Sequence, residues 1–170
     1  MKKIATFEKV SFRQFLKDWQ NDFPQTTEKE CQQIYNEISL PCRATKGSAG
    51  YDFFAPVSFT LAPQQTLKMP TGIRVKIEEG WVLKCYPRSS LGFNYRLQLN
   101  NTVGIIDSDY YFSDNEGHIF AKITNDSNED KTLSIVKQMG FMQGIFVEYG
   151  ITIDDVVETV RNGGLGSTTK

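Results

Sequence analysis

The sequence is poor in the residues that build metal clusters and nucleophilic dyads. It contains three cysteines (Cys31, Cys42 and Cys85) and a single histidine, His118, in 170 residues. An odd number of cysteines without CxxC spacing argues against a disulfide framework and against a structural zinc site. With one histidine, no Ser-His or Cys-His dyad is plausible. The unpaired thiols fit a reducing cytoplasm.

An excess of one charge and a long apolar run are also missing. The chain has 19 lysines and arginines against 20 acidic residues, a formal net charge of -1. The basic footprint that duplex nucleic acid requires is therefore absent, and we expect no nucleic-acid partner. No apolar stretch is long enough to cross a bilayer, and Glu8 and Lys9 interrupt the opening before it could act as a signal peptide. We expect a cytoplasmic protein with no membrane partner.

Residues 1–38 have the spacing of helices. Two capping-box pairs, Ser11 with Gln14 and Thr27 with Glu30, each precede an apolar stripe of helical period. We predict an N-terminal helical extension made of two helices. Packing of both helices on the main body is the favoured interpretation, and a hairpin that binds a regulatory partner is the alternative.

From residue 40 the pattern changes to short strands. Apolar residues alternate with polar ones, or form short apolar runs, in six segments: 73–77, 81–85, 97–99, 119–123, 133–136 and 141–147. Many short strands separated by turns, without intervening helices, indicate an antiparallel sandwich or barrel. We therefore predict three parts: the helical extension (1–38), a β-barrel (39–155) and a flexible C-terminal arm (156–170).

The central stretch is GIIDSDY, residues 104–110. Its apolar pair leads into Asp107, and Asp109 and Tyr110 follow. In a strand, residues two apart share a face, so Asp107 and Asp109 would point the same way. A carboxylate held beside a buried apolar run suits a general base. The alternative is a pair of solvated turn residues.

Three other features offer groups that bind phosphate or need a buried partner. Residues 87–92 (PRSSLG) follow a strand and supply a cation, hydroxyls and free amides, and residues 161–168 (RNGGLGST) supply an arginine, glycines and hydroxyls. Gln143 lies inside an otherwise apolar strand, where its amide needs a hydrogen-bond partner. Taken alone, each has an ordinary alternative: a surface ion pair for Arg88, a frayed terminus for 161–168, and a core hydrogen bond for Gln143.

Together and in this order, these stretches resemble the five motifs of the homotrimeric dUTPases. The matching segments are 49–52 (AGYD), 87–92, 104–110, 143–146 (QGIF) and 161–168. The resemblance runs from about residue 40 to the C-terminus, so the helical extension lies outside it. It implies a mainly-β fold, a distorted jelly-roll β-barrel, in a homotrimer whose active sites are built from all three chains.

The resemblance also implies a reaction and a role for each matched residue. dUTP would be hydrolysed to dUMP and pyrophosphate, with Asp107 as the general base that activates a water for attack on the α-phosphorus. Mg²⁺ would be chelated mainly by the three phosphates, with Asp52 orienting it through water. Asn101 would read the uracil edge, and Tyr110 would pack on the sugar and exclude a 2′-hydroxyl. The other substrate contacts would be Gly104 and Ile106 near the base, Arg88, Ser89, Ser90 and Gln143 along the phosphates, and Arg161, Leu165, Gly166, Ser167 and Thr168 in the closing tail.

Three positions depart from the family pattern. Gly140 stands where most relatives carry an arginine, and Leu165 stands where a phenylalanine usually stacks on the uracil. Residues 111–116 are longer than the usual connection after Tyr110. Two other functions remain open. A dCTP deaminase-type relative would need an acid/base glutamate near the exocyclic amine of the base, and a non-catalytic trimer would bind nucleotide or a regulatory protein.

Overall fold

The computed structural model describes residues 2–159, 161 and 163, which contain eleven strands, three α-helices and one 3₁₀ helix. The helices are α1 (Phe12–Asp22), α2 (Glu28–Asn36) and α3 (Ser89–Tyr95), and the 3₁₀ helix spans Ser108–Phe112. The strands are β1 (Ala5–Lys9), β2 (Tyr51–Phe54), β3 (Phe59–Leu61), β4 (Thr66–Pro70), β5 (Ile73–Ile77), β6 (Trp81–Pro87), β7 (Leu97–Leu99), β8 (Gly104–Ile106), β9 (Phe120–Asn125), β10 (Leu133–Ile135) and β11 (Gly140–Glu148).

The paired strands are all antiparallel and form four small sheets. Their orders are β2-β11-β6-β8, β4-β9-β7, β1-β5 and β3-β10. Alternate residues of these strands point into one shared core, which includes Leu83, Ile123 and Phe141. The prediction of a mainly-β, jelly-roll barrel is confirmed.

Both predicted N-terminal helices are present, with the predicted caps. The Ser11 hydroxyl accepts a hydrogen bond from the Gln14 amide at 3.1 Å. The Thr27 hydroxyl and the Glu30 carboxylate cap each other's backbone N–H groups at 3.3 and 2.8 Å. These contacts satisfy amide groups that the first turn of a helix leaves without acceptors.

The prediction that residues 1–38 are helical throughout is wrong at its start. Ala5–Lys9 is a strand that pairs with β5. The reason is Phe7, whose ring lies 5.3 to 5.8 Å from the rings of Tyr51, Phe53 and Phe146. This aromatic cluster is formed by residues distant in sequence, so tertiary packing decides the local structure here.

The two helices pack on the barrel. Phe15 and Trp19 of α1 are almost fully buried, and Cys31 of α2 joins the same core. Burying an apolar side chain of this size stabilises a fold by roughly 1.5–3 kcal/mol. The favoured interpretation of the extension, packing on the main body, is confirmed.

Cysteine and membrane features are simple in the part of the chain that the structure describes. All three cysteines lie there and are free thiols. Burial raises the pKa of Cys85 to about 12, so this thiol stays protonated and is a poor nucleophile. Among the described helices, none combines the length and apolar character that a membrane span needs.

Candidate active site

The predicted site residues are arranged along strand β6. Its pairing with β8 sets Leu83 opposite Ile106 and Cys85 opposite Gly104, so Asp107 follows at the level of Val82. Arg88 comes just after the other end of β6. Six residues separate these levels, which at about 3.3 Å per residue is about 20 Å. We call the group Asp52, Arg88 and Gln143 the Arg88 end, and the group Asp107, Asp109 and Tyr110 the Asp107 end.

Two predicted phosphate contacts, Arg88 and Gln143, meet the predicted metal-orienting residue Asp52 at the Arg88 end. Gln143 of β11 is paired with Asp52 on one side and with Tyr86 on the other. The Gln143 amide donates to the Pro87 carbonyl at 3.1 Å, and Arg88 Nε lies 3.2 Å from Asp52 Oδ1. The strands therefore fix the spacing of a cation, a carboxylate and an amide before any ligand binds.

Two glycines allow this close packing. A Cβ at Gly50 would lie 2.7 Å from Gln143 Oε1, which is too short for real atoms. A Cβ at Gly140 would lie 3.1 Å from Arg88 Nη1 and 3.4 Å from Asp52 Cβ. Gly140 is thus in direct contact with Arg88, which lies across the space that a side chain at residue 140 would need.

Ser89 and Ser90 begin helix α3, for which Arg88 is the N-cap residue. The Leu91 and Gly92 amides donate to the Arg88 carbonyl at 3.0 and 2.9 Å. The amides before them lie in the first turn, where a helix offers no internal acceptor. Both serines are exposed, and they follow Arg88 directly in the chain. The prediction of strands without intervening helices is wrong at α3, which shows no apolar periodicity because only Leu91 of its residues is buried.

At the Asp107 end, strand β8 stops at Ile106 and Asp107 becomes the N-cap of the 3₁₀ helix. Strand alternation therefore does not orient the two carboxylates as expected. The turn brings them together instead: Arg161 Nη1 lies 3.2 Å from Asp107 Oδ2 and 3.0 Å from Asp109 Oδ1. The Asp107 side chain is 50 % exposed, so within one chain it is not enclosed by apolar surroundings. Burial alone would lower the pKa of Arg161, but the hydrogen bonds to Asp109 and Asp107 outweigh it and raise the pKa.

Tyr110 is buried beside these carboxylates. Its hydroxyl donates to the His118 carbonyl at 2.7 Å and accepts from Asn115 Nδ2 at 2.9 Å. Burial raises the pKa of Tyr110, so the phenol stays a neutral donor. His118 lies two residues before β9 and is fully buried.

The predicted uracil-reading residues lie between the two ends of β6. Asn101 is exposed in the hairpin between β7 and β8, where the Val103 amide donates to the Asn101 carbonyl at 2.7 Å. A Cβ at Gly104 would lie 3.1 Å from Cys85 Cβ, so glycine lets this hairpin approach β6. Ile106 is half-buried next to Asp107. The predicted tail contacts Leu165, Gly166, Ser167 and Thr168 lie outside the described residues.

Comparison with known proteins matches the chain to one family. The dUTPase family model covers residues 36–168. The chain belongs to the dUTPase family. Among curated relatives, the deoxyuridine 5′-triphosphate nucleotidohydrolase of Lactococcus lactis subsp. lactis is 39% identical over 134 residues, covering 77% of this chain and 88% of the relative. The enzyme of the same name from Hahella chejuensis is 38% identical over 140 residues, with 78% and 88% covered.

Solved dUTPase structures share the fold. The dUTPase from Streptococcus mutans superposes with a TM-score of 0.63 at 31% identity, covering 88% of this chain and 98% of its own. A dUTPase from phage phi11 of S. aureus has a TM-score of 0.62 at 20% identity, with 92% and 97% covered, which supports the fold alone. Helix α1 lies before residue 36 and so outside the part that the family model matches.

Proposed function

We propose that this dUTPase hydrolyses dUTP to dUMP and pyrophosphate by attack of a water, activated by Asp107, on the α-phosphorus. The observation that carries the proposal is the position of the Asp107 carboxylate. It is half exposed, it lies on a turn fixed by β8 and the 3₁₀ helix, and it contacts Arg161, whose guanidinium lies 5.4 Å from the centre of the Tyr110 ring. A general base needs both a fixed position and access to the water that it deprotonates.

The Arg88 end would hold the phosphates. Hydrolysis of a phosphate anhydride needs charge neutralisation and in-line positioning more than covalent help. Arg88 supplies a forked cation, the first turn of α3 supplies amide and hydroxyl donors at Ser89 and Ser90, and the strand pairing holds Gln143 beside them. The Arg88 contact with Asp52 keeps the guanidinium in place in the free protein.

The Arg88 end also fits a hydrated Mg²⁺. Asp52 Oδ1 contacts Arg88, and the Asp52 side chain is 18 % exposed, so water can reach its carboxylate. A carboxylate oxygen of this kind accepts well from the water ligands of a magnesium ion, which usually keeps several of them. Asp52 would thus orient the ion through water, with the phosphates as its direct ligands. When bound, Mg²⁺ would neutralise charge on the triphosphate and on the departing pyrophosphate.

The distance between the two ends supports shared active sites. One chain separates Asp107 from Arg88 by about 20 Å along β6, as the register shows. Those two residues cannot then act on the same α-phosphate from the same chain. We propose a homotrimer in which Asp107 of one chain faces the partner subunit's Arg88, and the third chain contributes the closing tail.

The C-terminal arm supports the same assembly. Residues 149–159 leave five large hydrophobic side chains exposed, those of Tyr149, Ile151, Ile153, Val156 and Val157. The same eleven residues include Asp154, Asp155 and Glu158 and no lysine or arginine. A cavity of about 890 Å³ has the complementary character, because its lining includes the cations Lys2, Lys3, Arg43 and Lys46 and the rings of Tyr51, Trp81 and Phe146. Packing of the arm into this cavity of a neighbouring copy would cover both surfaces.

An assay of pyrophosphate and ammonia release tests the proposal. With added Mg²⁺, we expect pyrophosphate from dUTP and little from dCTP, dTTP or UTP. Removing the metal with EDTA should stop turnover, and adding Mg²⁺ back should restore it. Release of ammonia from dCTP would favour the deaminase instead. Binding of dUTP without any product would favour the non-catalytic trimer, in which a regulatory protein would be the partner.

A further inference from the structure

Helix α1 forms hydrogen bonds with residues 111–118, the segment that follows Tyr110. The Ser11 amide and hydroxyl, at the start of the helix, both donate to the Glu116 carboxylate at 2.7 Å. About two helical turns further on, Asp18 Oδ2 lies 2.6 Å from His118 Nδ1. The helix that lies outside the matched family region therefore contacts the segment whose length departs from the family pattern.

The orientation of the His118 ring is defined by its two partners. The Gly72 amide donates to His118 Nε2 at 2.8 Å, so Nε2 must carry a lone pair. The ring proton is then on Nδ1, and it is donated to Asp18. Asp18 also accepts from Gln14 Nε2 at 2.7 Å, which holds the carboxylate on the helix. The ring is fully buried, so it has no water to replace either partner.

The backbone of His118 in turn holds Tyr110. Its carbonyl accepts the Tyr110 hydroxyl proton at 2.7 Å, while Ser113 Oγ donates to the Tyr110 carbonyl at 2.6 Å. The segment between them is folded tightly, because Glu116 and Gly117 have φ values of 58° and 70°. A Cβ at Gly117 would lie 2.7 Å from Tyr111 Cα. Such backbone conformations persist only when the surroundings impose them.

We propose that Asp18 and His118 are positioning residues for Tyr110, and that helix α1 therefore sets how well this enzyme selects the deoxyribose of its substrate. The path runs from the Asp18 carboxylate to the His118 ring, from the His118 carbonyl to the Tyr110 hydroxyl, and from the Tyr110 ring to the sugar. The last step rests on the proposed function, in which Tyr110 packs on the deoxyribose.

Asp18→Ala removes the hydrogen bond between α1 and the His118 ring. It leaves the helix in place, because Phe15 and Trp19 keep α1 packed in the core. Asp22→Ala is the matched control. Asp22 is a carboxylate of the same helix, and it contacts Lys68 of β4 at 3.0 Å instead of residues 111–118. Asp18→Asn is the conservative variant, since its side-chain carbonyl still accepts the His118 proton.

The first experiment measures kcat and KM for dUTP and for UTP. Losing a buried hydrogen bond to a charged group, worth about 1.5 kcal/mol, should raise the KM of Asp18→Ala for dUTP roughly tenfold and lower its preference for dUTP over UTP by a similar factor. We expect kcat to change much less, Asp18→Asn to lie between Asp18→Ala and the wild type, and Asp22→Ala to match the wild type. Equal KM and equal preference in Asp18→Ala and Asp22→Ala would overturn the proposal.

Amide hydrogen exchange supplies a readout that does not depend on activity. Exchange at Ser113, Glu116 and His118, whose amides donate to carbonyls within this segment, should quicken in Asp18→Ala and not in Asp22→Ala. Quicker exchange with unchanged kinetics would overturn the positioning role. A wild-type protein that leaves dUTP intact would instead refute the proposed function, while the exchange comparison would still decide whether Asp18 holds the segment. If Asp18→Ala does not fold, Asp18→Asn is compared with the wild type by the same two measurements.

Discussion

The two ends of strand β6 are built in different ways. At the Arg88 end, strand pairing places Asp52 beside Gln143, and Arg88 contacts Asp52, all within one chain. At the Asp107 end, the strand stops, a 3₁₀ helix begins, and the base is half exposed. The comparison indicates that one chain preorganises the proposed phosphate site, whereas the proposed base, Asp107, would gain its reaction partner only from a neighbouring copy.

The largest effect should come from the base itself. Asp107→Asn keeps the size of the side chain but cannot take a proton, so we expect kcat for dUTP to fall about 10³-fold. The KM should change little, since the phosphate contacts remain. Asp109→Asn is the control, because Asp109 shares the contact with Arg161 and has no proposed role as a base. Equal losses in both variants would show that the pair acts only by its charge.

The next effect should be at the opposite end. Arg88→Ala removes the forked cation from the phosphate chain, and we expect kcat/KM to fall by roughly 10–10²-fold, as for a lost hydrogen bond between charged groups. Arg96→Ala is the control, because Arg96 is also paired with an aspartate, Asp126, at 3.1 Å, but lies at the far end of α3. Steady-state kinetics of both variants would separate a phosphate contact from a general effect of positive charge.

A smaller gain is expected at Leu165. Base–aromatic stacking is worth roughly 1–3 kcal/mol in single-strand binding, and leucine should keep only part of it. Leu165→Phe should therefore lower the apparent KM for dUTP and leave kcat nearly unchanged. An unchanged KM would mean that Leu165 does not cover the base.

The smallest effect concerns stability rather than turnover. Burial raises the pKa of Asp18, but the hydrogen bonds from His118 and Gln14 outweigh it and hold the pKa below the usual 3.8. A lowered folded-state pKa stabilises the fold above the unfolded value and loses this contribution as the pH falls through the folded value. At pH 7 the free energy of unfolding of the wild type should therefore exceed that of Asp18→Asn by a margin equal to this whole contribution. The margin should shrink as the pH falls below 3.8.

Urea titrations of the wild type and Asp18→Asn, at pH 7 and at a pH below 3.8, measure this margin. Asp114→Asn is the matched control, because Asp114 is exposed in the same segment. A margin for Asp18→Asn that does not change with pH would contradict the assignment of the Nδ1 proton to His118.

Local sequence patterns were enough to predict the elements that depend on contacts between neighbouring residues. The helix N-caps Ser11 and Thr27 and the alternating strands β5, β6 and β7 have the positions that their patterns predicted, although of the two predicted capping boxes only Thr27 with Glu30 is complete. The motif residues Asp52, Arg88 and Gln143 are brought together because strand register follows from the same alternation. The family resemblance added the roles, which no pattern of spacing could supply.

What the sequence could not provide depends on contacts between distant residues. Residues 5–9 form a strand because Phe7 joins an aromatic cluster. No local sequence motif could predict the contacts of Asp18 and Glu116, because their partners His118 and Ser11 are 100 and 105 residues away in sequence. The orientation of Asp107 depends on where β8 ends. Beyond the end of a strand, the alternation of side chains no longer predicts to which face a residue points.

Mixing two impaired variants tests the central claim most directly. Alone, Asp107→Asn is expected to keep about 10⁻³ of the wild-type kcat, and Arg88→Ala roughly 10⁻¹ to 10⁻² of the wild-type kcat/KM. In trimers assembled at random from equal amounts of both, roughly a quarter of shared sites would combine an intact Asp107 with the partner subunit's intact Arg88. We predict that refolding or co-expressing the two variants together restores dUTP hydrolysis to about that fraction of the wild-type rate. Restoration to no more than the sum of the separate variants would show that each chain completes its own site, and would contradict the account.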